Sequence, residues 1–526
     1  MTFREPSREK KQADNFEHVL ENSRHQGCRI AFVNQISFNE PMGIGYISAY
    51  LKAHFPDLAI EFFHVDANTV DHLRQFKPNF VLYSLMTGIH IREFERVRHI
   101  KRSIGPHISV LGGPHITYFP QSVTQEGVDI ACQGEGELPM KSLFSAVRDG
   151  MDIRKINGLW IKDGDELHQN PVEYLVPELD ELPFPDRDLY YGKSDFLRKY
   201  GRKPVVGARG CPFKCSYCYN SGLNKIFKSK GKVLRNRSPE SVVAEVMQLK
   251  ERYATPFVAF IEDVFSGVRL SWLQEFQERY ASVQVPFYIS IRAEFVTSEI
   301  ARTLKKSGCV SASMAVEHGD YEYRKEYLFR KMTDEKLIEG TRILESEGIR
   351  VASPIILGMP FSGIEGDLKT LKLVARSRPT HATTAIFQPY PGTALTELCR
   401  EKGLIDATNM DHLPDNFFSS PNVKGVEYPQ VIKLHNSFSV ILLLHRWFHW
   451  DVETLFHRLP NSVFIRLLNV FLKYITFKQI IGYKRGWWEV WSEIYQGIVT
   501  GVFDVGISLK RKSPKLIDHP VRPVSK

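Results

Sequence analysis

Residues 208–220 read Ala-Arg-Gly-Cys-Pro-Phe-Lys-Cys-Ser-Tyr-Cys-Tyr-Asn, which sets Cys211, Cys215 and Cys218 close together in one short loop. The next cysteine is Cys309. Three thiolates at this spacing can hold one face of a metal centre, but they cannot complete a four-ligand protein site. A coordination position is left for something other than protein, as a catalytic centre requires. A structural zinc site takes four ligands, and no Cys or His pair of suitable spacing follows Cys218. Disulfides need an oxidising compartment. The chain has an odd count of seven cysteines and opens with the charged stretch MTFREPSREKKQADNFEHV, so no secretory leader is expected. Cys28, Cys132, Cys309 and Cys399 stand singly and read as packing residues.

Around this loop, from about 196 to 405, a strand-then-helix pattern repeats. VVGAR (205–209) leads into the cysteines. PFVAFIEDVF (256–265) ends in Glu262 and Asp263, and VPFYISIRAEF (285–295) ends at Arg292 and Glu294. CVSASMAVEHG (309–319) ends at Glu317, and GIRVASPIILGMP (348–360) at Gly358 and Pro360. ATTAIFQPYPGT (382–393) ends in Gln388 and the turn Tyr390-Pro391-Gly392. Six strands with intervening helices predict a partial (β/α)6 barrel, whose site lies at the carboxyl ends of the strands, where these polar residues fall.

Upstream, residues 27–150 alternate in the same way. CRIAFVNQI, AIEFFHV, NFVLYSLMT, ISVLGGPH and VDIACQGEGE are apolar runs that predict buried strands. MGIGYISAYLKAHF and IREFERVRHIKRSI carry helical spacing. The α/β alternation predicts a doubly wound, Rossmann-like parallel sheet with ligand loops PMGIG, SLMTG, GGPH and GEGE at its carboxyl edge. No G-x-G-x-x-G follows the first strand, which argues against NAD.

C-x3-C-x-aromatic-C, with Tyr217 as the aromatic, resembles the signature of radical S-adenosylmethionine (SAM) enzymes. That resemblance implies that Cys211, Cys215 and Cys218 ligate a [4Fe–4S] cluster. The fourth iron would chelate SAM, which one electron cleaves to a 5′-deoxyadenosyl radical. Such chemistry lies beyond side chains and needs a cofactor. The family likeness places Glu262 and Asp263 as paired acids near SAM or a substrate proton, with a helix N-cap as the bland reading of Asp263. Arg292 is a partner for a carboxylate of SAM or substrate, with a surface salt bridge as the alternative. Glu317 resembles the Glu of a Glu-Ser-Gly element near the ribose, here Glu317-His318-Gly319. Gly358 and Pro360 resemble the turn near the adenine. Tyr390, Pro391 and Gly392 resemble the final strand-end turn, and Gln388 before it is a cofactor-binding candidate.

The upstream loops resemble a cobalamin-binding domain that precedes many radical SAM domains. In that likeness Ser84 and Thr87 contact the nucleotide tail, and Gly112 and Gly113 let it pass. Pro114, Gly134 and Glu135 belong to the same cofactor edge. No D-x-H-x-x-G occurs here, so a lower axial His from that motif is missing. The resemblance covers roughly residues 27–400 and implies methylation of an unactivated carbon by way of methylcobalamin. Ring formation or rearrangement without methyl transfer is the alternative within the enzymes. A non-catalytic cofactor-binding protein is the alternative of another class.

The rest of the chain is read from its residues. Its 526 residues exceed one compact core, and 43% hydrophobic with 25% charged is globular. Residues 1–26 read as a polar tail. Residues 151–195 read as a linker holding a small hairpin with Asp163-Gly164 as its turn, with Asp186 and Arg187 as surface or linker contacts. Residues 406–526 read as a helical, aromatic-rich C-terminal domain, with Trp447, Trp450, Trp487, Trp488 and Trp491 among basic residues. This part is expected to cap the barrel, to line a greasy cavity for a small, lipid-like substrate, or to touch a membrane surface peripherally. The net charge of +9 reads as diffuse, and the first 400 residues show no concentrated basic stripe with base-stacking aromatics, which argues against nucleic acid. An oxygen-labile cluster implies the cytoplasm and an electron donor such as flavodoxin or ferredoxin.

Overall fold

The first sheet is built on strands β1 (Arg29–Asn34), β3 (Phe80–Ser84), β4 (Ile108–Gly112) and β5 (Ile130–Cys132), largely buried on both faces, with β2 (Ala59–His64) as its partly exposed edge. Ile30, Ala31, Phe32 and Val33 are all buried in β1, as a strand covered on both sides requires. The computed structural model describes residues 8–25, 27–35, 40–265, 269–406, 413–414, 416, 418–421, 423–483, 486 and 489–491. Trp487, Trp488, Lys484, Arg485 and the basic stretch 508–515 lie outside the described residues.

The first sheet runs β2-β1-β3-β4-β5, all parallel, and continues antiparallel into β6 (Leu159–Asp163) and β7 (Glu166–Gln169). The hairpin read in the linker therefore extends this sheet, pairing Leu159–Ile161 with Ile130–Cys132. The sheet order reverses between β1 and β3, so the crevice beyond the carboxyl ends there is the natural ligand position. Part of the polar stretch 1–26 is the helix Arg8–His25, whose Phe16, Val19 and Leu20 are buried in this unit's core. Their helical spacing puts one apolar stripe on an otherwise charged helix.

The second sheet has six parallel strands in the order β15-β14-β13-β12-β11-β8. They are β8 (Arg202–Val205), β11 (Phe257–Phe260), β12 (Phe287–Ser290), β13 (Cys309–Ser313), β14 (Arg350–Leu357) and β15 (His381–Ile386). A short ribbon, β9 (Ala208–Arg209) with β10 (Arg235–Asn236), brackets the cysteine loop. Ser238, Thr297 and Thr333 cap the helices after β10, β12 and β13, each side-chain oxygen accepting a backbone N–H. The helices cover one face of the strands in a single core that includes Val246, Phe260, Phe276, Leu344 and Leu371. The chain thus forms the doubly wound domain and partial barrel that its pattern predicts.

Helices Tyr428–Phe448 and Val463–Ile480 pack on each other and on β15. Past them, Ser311 Oγ donates to Ile480 O at 2.6 Å, and Gly201 N donates to Glu489 Oε1 at 2.8 Å. The C-terminal segment thus closes the amino end of the barrel.

Candidate active site

The cysteine loop is shaped by one glycine. Gly210 has φ +85°, and a Cβ there would lie 2.2 Å from Val233 O, so no other residue fits before Cys211. Cys211 and Cys215 are buried, and Cys218 is half-buried at the start of helix Tyr219–Ile226. Burial, with Asp263 and the other two thiols nearby, pushes Cys218 up to about 12, and burial also raises Cys211. Such thiols ionise only when a cation takes the charge. Among the described residues no three His, Cys, Asp or Glu side chains stand close enough to hold a single metal ion.

Two guanidiniums flank Cys215. Arg292 Nη1 lies 3.6 Å from its sulfur, and Arg330 Nη1 lies 4.0 Å from it. Arg292 also stacks 3.7 Å above Phe213 and bonds Glu294. It is therefore a half-buried neighbour of the cysteine loop that also forms a salt bridge with exposed Glu294. Tyr217 donates its hydroxyl to Glu317 Oε1 at 2.8 Å, and Arg330 reaches the Tyr217 oxygen at 3.4 Å. Glu317 takes φ +65°, a strained value for a glutamate, and is held there by Ile356 N donating to Glu317 O at 2.9 Å. Arg330 carries no sequence signal, since it sits in the charged run Arg324–Lys331.

A cavity of about 670 Å³ opens between the cysteine loop and the carboxyl edge of the first sheet. Of the residues singled out in the sequence, it is lined by Gly113, Pro114, Gly134, Glu135, Tyr217, Cys218, Asp263, Gln388 and Tyr390. Apolar side chains such as Met86, Leu175, Leu223, Val233 and Ile356 supply most of its wall. Asp263 is not a helix N-cap: the helix Leu270–Tyr280 begins after Arg269, and burial raises the Asp263 carboxyl. Glu262 instead turns inward and accepts Gly207 N at 3.0 Å. Gly358 lies off the cavity wall and donates its N–H to buried Asp367 at 3.0 Å. No described residue beyond Tyr390 lines the cavity, so the described C-terminal helices lie away from it.

Gln388 gives the cavity a defined polar point. Its Nε2 donates to Ser419 O at 2.8 Å and Ile386 O at 3.4 Å. Both partners are carbonyls, which fixes the orientation of the amide. Oε1 is buried with no partner among the described residues.

The two domains meet around this cavity. Arg235 of β10 donates to Glu135 at 2.6 and 3.0 Å, and Arg209 of β9 donates to Glu137 at 2.6 Å. Tyr219 packs its ring 4.5 Å from Tyr118 and 5.1 Å from Tyr390. The Tyr219 hydroxyl donates to Thr87 Oγ1 at 2.9 Å, and Thr87 bonds His115 Nδ1 at 3.0 Å. Burial and the stacked His90, 4.1 Å away, push His115 down to about 3, so it is neutral. A Cβ on Gly113 would meet Leu85 and Ser84 Oγ at 2.8 Å, so the glycine pair Gly112-Gly113 packs tightly against the β3 loop. Arg187 is not a surface contact. It is buried between Glu245 at 2.7 Å and Glu40 at 3.5 Å, while Asp186 pairs with Lys52. These interdomain partners escaped the sequence reading because pairing between distant segments leaves no local pattern.

The glycine loops form one wall of the cavity and the cysteine loop another, which fits cobalamin and a SAM-binding cluster facing each other. Residues 205–374 match the Radical SAM superfamily, and residues 36–144 match the B12 binding domain. An uncharacterized methyltransferase of Pyrococcus horikoshii is 25% identical, over 70% of this chain and 80% of its own. The anaerobic magnesium-protoporphyrin IX monomethyl ester cyclase of Cereibacter sphaeroides is 23% identical, over 69% of this chain and 60% of its own. The solved structure of the cobalamin-dependent SAM radical enzyme OxsB, with aqua-cobalamin and SAM bound, shares the fold. Its TM-score is 0.63 at 15% identity, over 93% of this chain and 80% of that one. The cofactors are a [4Fe–4S] cluster, SAM and cobalamin. The chain belongs to the radical SAM enzymes that carry a B12-binding domain, and it is a cobalamin-dependent methyltransferase-like enzyme.

Proposed function

We propose that this enzyme methylates an unactivated carbon of a small, largely apolar metabolite that carries a hydrogen-bond donor. The observation that carries the reading is the cavity itself, walled by Cys218 and Asp263 on one side and by Gly113, Pro114 and Gly134 on the other. When bound, the cluster supplies the electron for cleaving SAM, and cobalamin carries the methyl group. The chain's own part is to hold and orient. Cys211, Cys215 and Cys218 are the cluster ligands. Arg292 and Arg330 set positive charge beside Cys215. Gly112, Gly113, Pro114, Gly134 and the hydroxyls of Ser84 and Thr87 form the cobalamin edge. Glu317 shapes the SAM side through its bond to Tyr217, and Asp263 faces the reacting space. Gln388 Oε1, which has no partner among the described residues, selects an N–H or O–H on the occupant, because leaving it buried and unpaired costs about 1–3 kcal/mol. The aliphatic lining favours an apolar body on the same molecule. A flavodoxin- or ferredoxin-like protein supplies the electron.

A second reading, radical ring formation without methyl transfer, is favoured by the cyclase relative. The test is anaerobic reconstitution with iron, sulfide and cobalamin, followed by product analysis with SAM, a reductant and a panel of apolar alcohols and amines. S-adenosylhomocysteine formed together with 5′-deoxyadenosine supports methylation. Substrate conversion with 5′-deoxyadenosine alone selects the cyclase reading. No SAM cleavage at all leaves a non-catalytic cofactor-binding protein.

A further inference from the structure

The helix Val463–Ile480 is inside out. Its inward face carries Asn469, Lys473 and Thr476 between buried Ile465 and Ile480, with Asn469 buried and bonded to Ser439 N at 2.8 Å. Lys473 Nζ donates to Thr384 Oγ1 at 3.2 Å, and Thr476 Oγ1 bonds His381 Nδ1 at 2.7 Å. Its outward face carries Phe464, Leu467, Phe471 and Ile475, all exposed, Phe464 to 72%. The spacing of three, four and four residues puts these four side chains on one stripe. A helix facing only water has the reverse arrangement.

The stripe does not stand alone. Asn469 bonds both His435 O and Ser439 N, while Lys473 and His435 share Thr384. Helix Tyr428–Phe448 therefore runs antiparallel to this one, and its end lies beside Val463 and Phe464. That end carries Trp447, Phe448 and Trp450, all more than half exposed. Exposed Arg446 adjoins Trp447, and exposed Lys478 lies one helical turn beyond Ile475. Residues 428–526 contain fourteen Lys and Arg against six Asp and Glu, so eight of the chain's nine net positive charges fall in this region. No described helix is long and apolar enough to cross a membrane. Aromatic and aliphatic side chains on one face, with cations beside them, match a surface that lies in the interface of an anionic bilayer.

We propose that this face docks the enzyme on the surface of an anionic lipid bilayer. The stripe and its tryptophans enter the headgroup boundary, and the exposed cations beside them meet the anionic lipid. The cavity lies elsewhere, so docking places the enzyme on the membrane without adding a group to the reaction.

The full-length protein is sedimented with vesicles of phosphatidylcholine alone and of phosphatidylcholine with phosphatidylglycerol. Binding to the anionic vesicles at least tenfold above the neutral ones, weakened by salt and accompanied by a blue shift of tryptophan emission, is the expected result. The double variant Leu467→Glu/Phe471→Glu loses at least tenfold in vesicle binding, with an unchanged melting temperature. Three results overturn the proposal: protein left in the supernatant, equal binding by the double variant, or a wild-type dimer that the double variant makes monomeric. The last assigns the face to a second copy of the chain.

Discussion

Arg235 holds Glu135 by two hydrogen bonds of 2.6 and 3.0 Å, and this pair joins the ribbon beside the cysteine loop to the glycine loop of the first domain. Both side chains are largely buried, and both line the cavity. The lock therefore sits where the two cofactor-bearing walls meet. Burial alone would raise the Glu135 carboxyl, but Arg235 and Arg209 hold it below its ordinary value.

Breaking a buried pair strands the remaining charge and costs about 3–5 kcal/mol. Arg235→Ala is expected to destabilise the protein by about that amount, and Arg235→Ala/Glu135→Ala by less. Urea unfolding of the two variants checks the order. Because the Glu135 pKa is lowered by folding, its stabilisation is present above the ordinary carboxylate range and fades in acid. The loss on acidification should be absent in Glu135→Gln.

Cys215→Ala should abolish SAM cleavage and the paramagnetic signal of the reduced cluster. Iron analysis and 5′-deoxyadenosine assay of the reconstituted variant test this. Full activity in that variant would falsify the assignment of the cluster ligands.

Arg330 stands 4.0 Å from the Cys215 sulfur, and reduction would add negative charge to the cluster that this sulfur is proposed to hold. A nearby cation stabilises the reduced form. Arg330→Gln is thus expected to lower the midpoint potential, and Arg330→Lys to shift it less. A redox titration followed by electron paramagnetic resonance measures both. An unchanged potential in Arg330→Gln excludes the electrostatic role.

Tyr219→Phe removes the hydroxyl that donates to Thr87 and keeps the ring between Tyr118 and Tyr390. The expected loss is about 0.5–1.5 kcal/mol. Tyr219→Ala also removes the ring and should cost about 3–5 kcal/mol. Chemical denaturation compares them, and a larger effect in the Phe variant would contradict the stacking account.

Lys473 is buried against Thr384, near His435 and His381, and burial pushes it down to about 8. Burial likewise pushes His381 to about 3 and lowers His435, with Lys473 adding to both. All three groups bind protons more readily in the unfolded chain. Stability of this region therefore falls as pH drops below about 6.5, and it rises between pH 8 and about 10.5. Lys473→Met should flatten the alkaline rise. Unfolding monitored by fluorescence of Trp447, Trp450 and Trp491 across pH reads the effect, and an alkaline rise kept in that variant counts against Lys473 as its source.

The cysteine spacing, the apolar strand runs and the polar residues at their ends were legible because each is a local pattern. A strand's two-residue period and a motif's spacing survive in the linear chain. The same local reading placed Asp263, Gln388 and Tyr217 at the site, where the cavity has them. It left Arg187 open between a surface and a linker contact, of which burial selects the second, and it missed Arg330 and Arg235, since a lone arginine looks alike in water and in a buried pair.

The sequence by itself determined the chemistry: three thiols in one loop, a doubly wound sheet before a partial barrel, and glycine loops at the right strand ends. Only the tertiary structure decided how the two domains meet, because Arg235–Glu135, Tyr219–Thr87 and Glu40–Arg187 join segments about 100 or more residues apart. It also decided which face of the helix Val463–Ile480 looks outward. Periodicity reveals that a helix has two faces, but only packing shows that the polar one is buried.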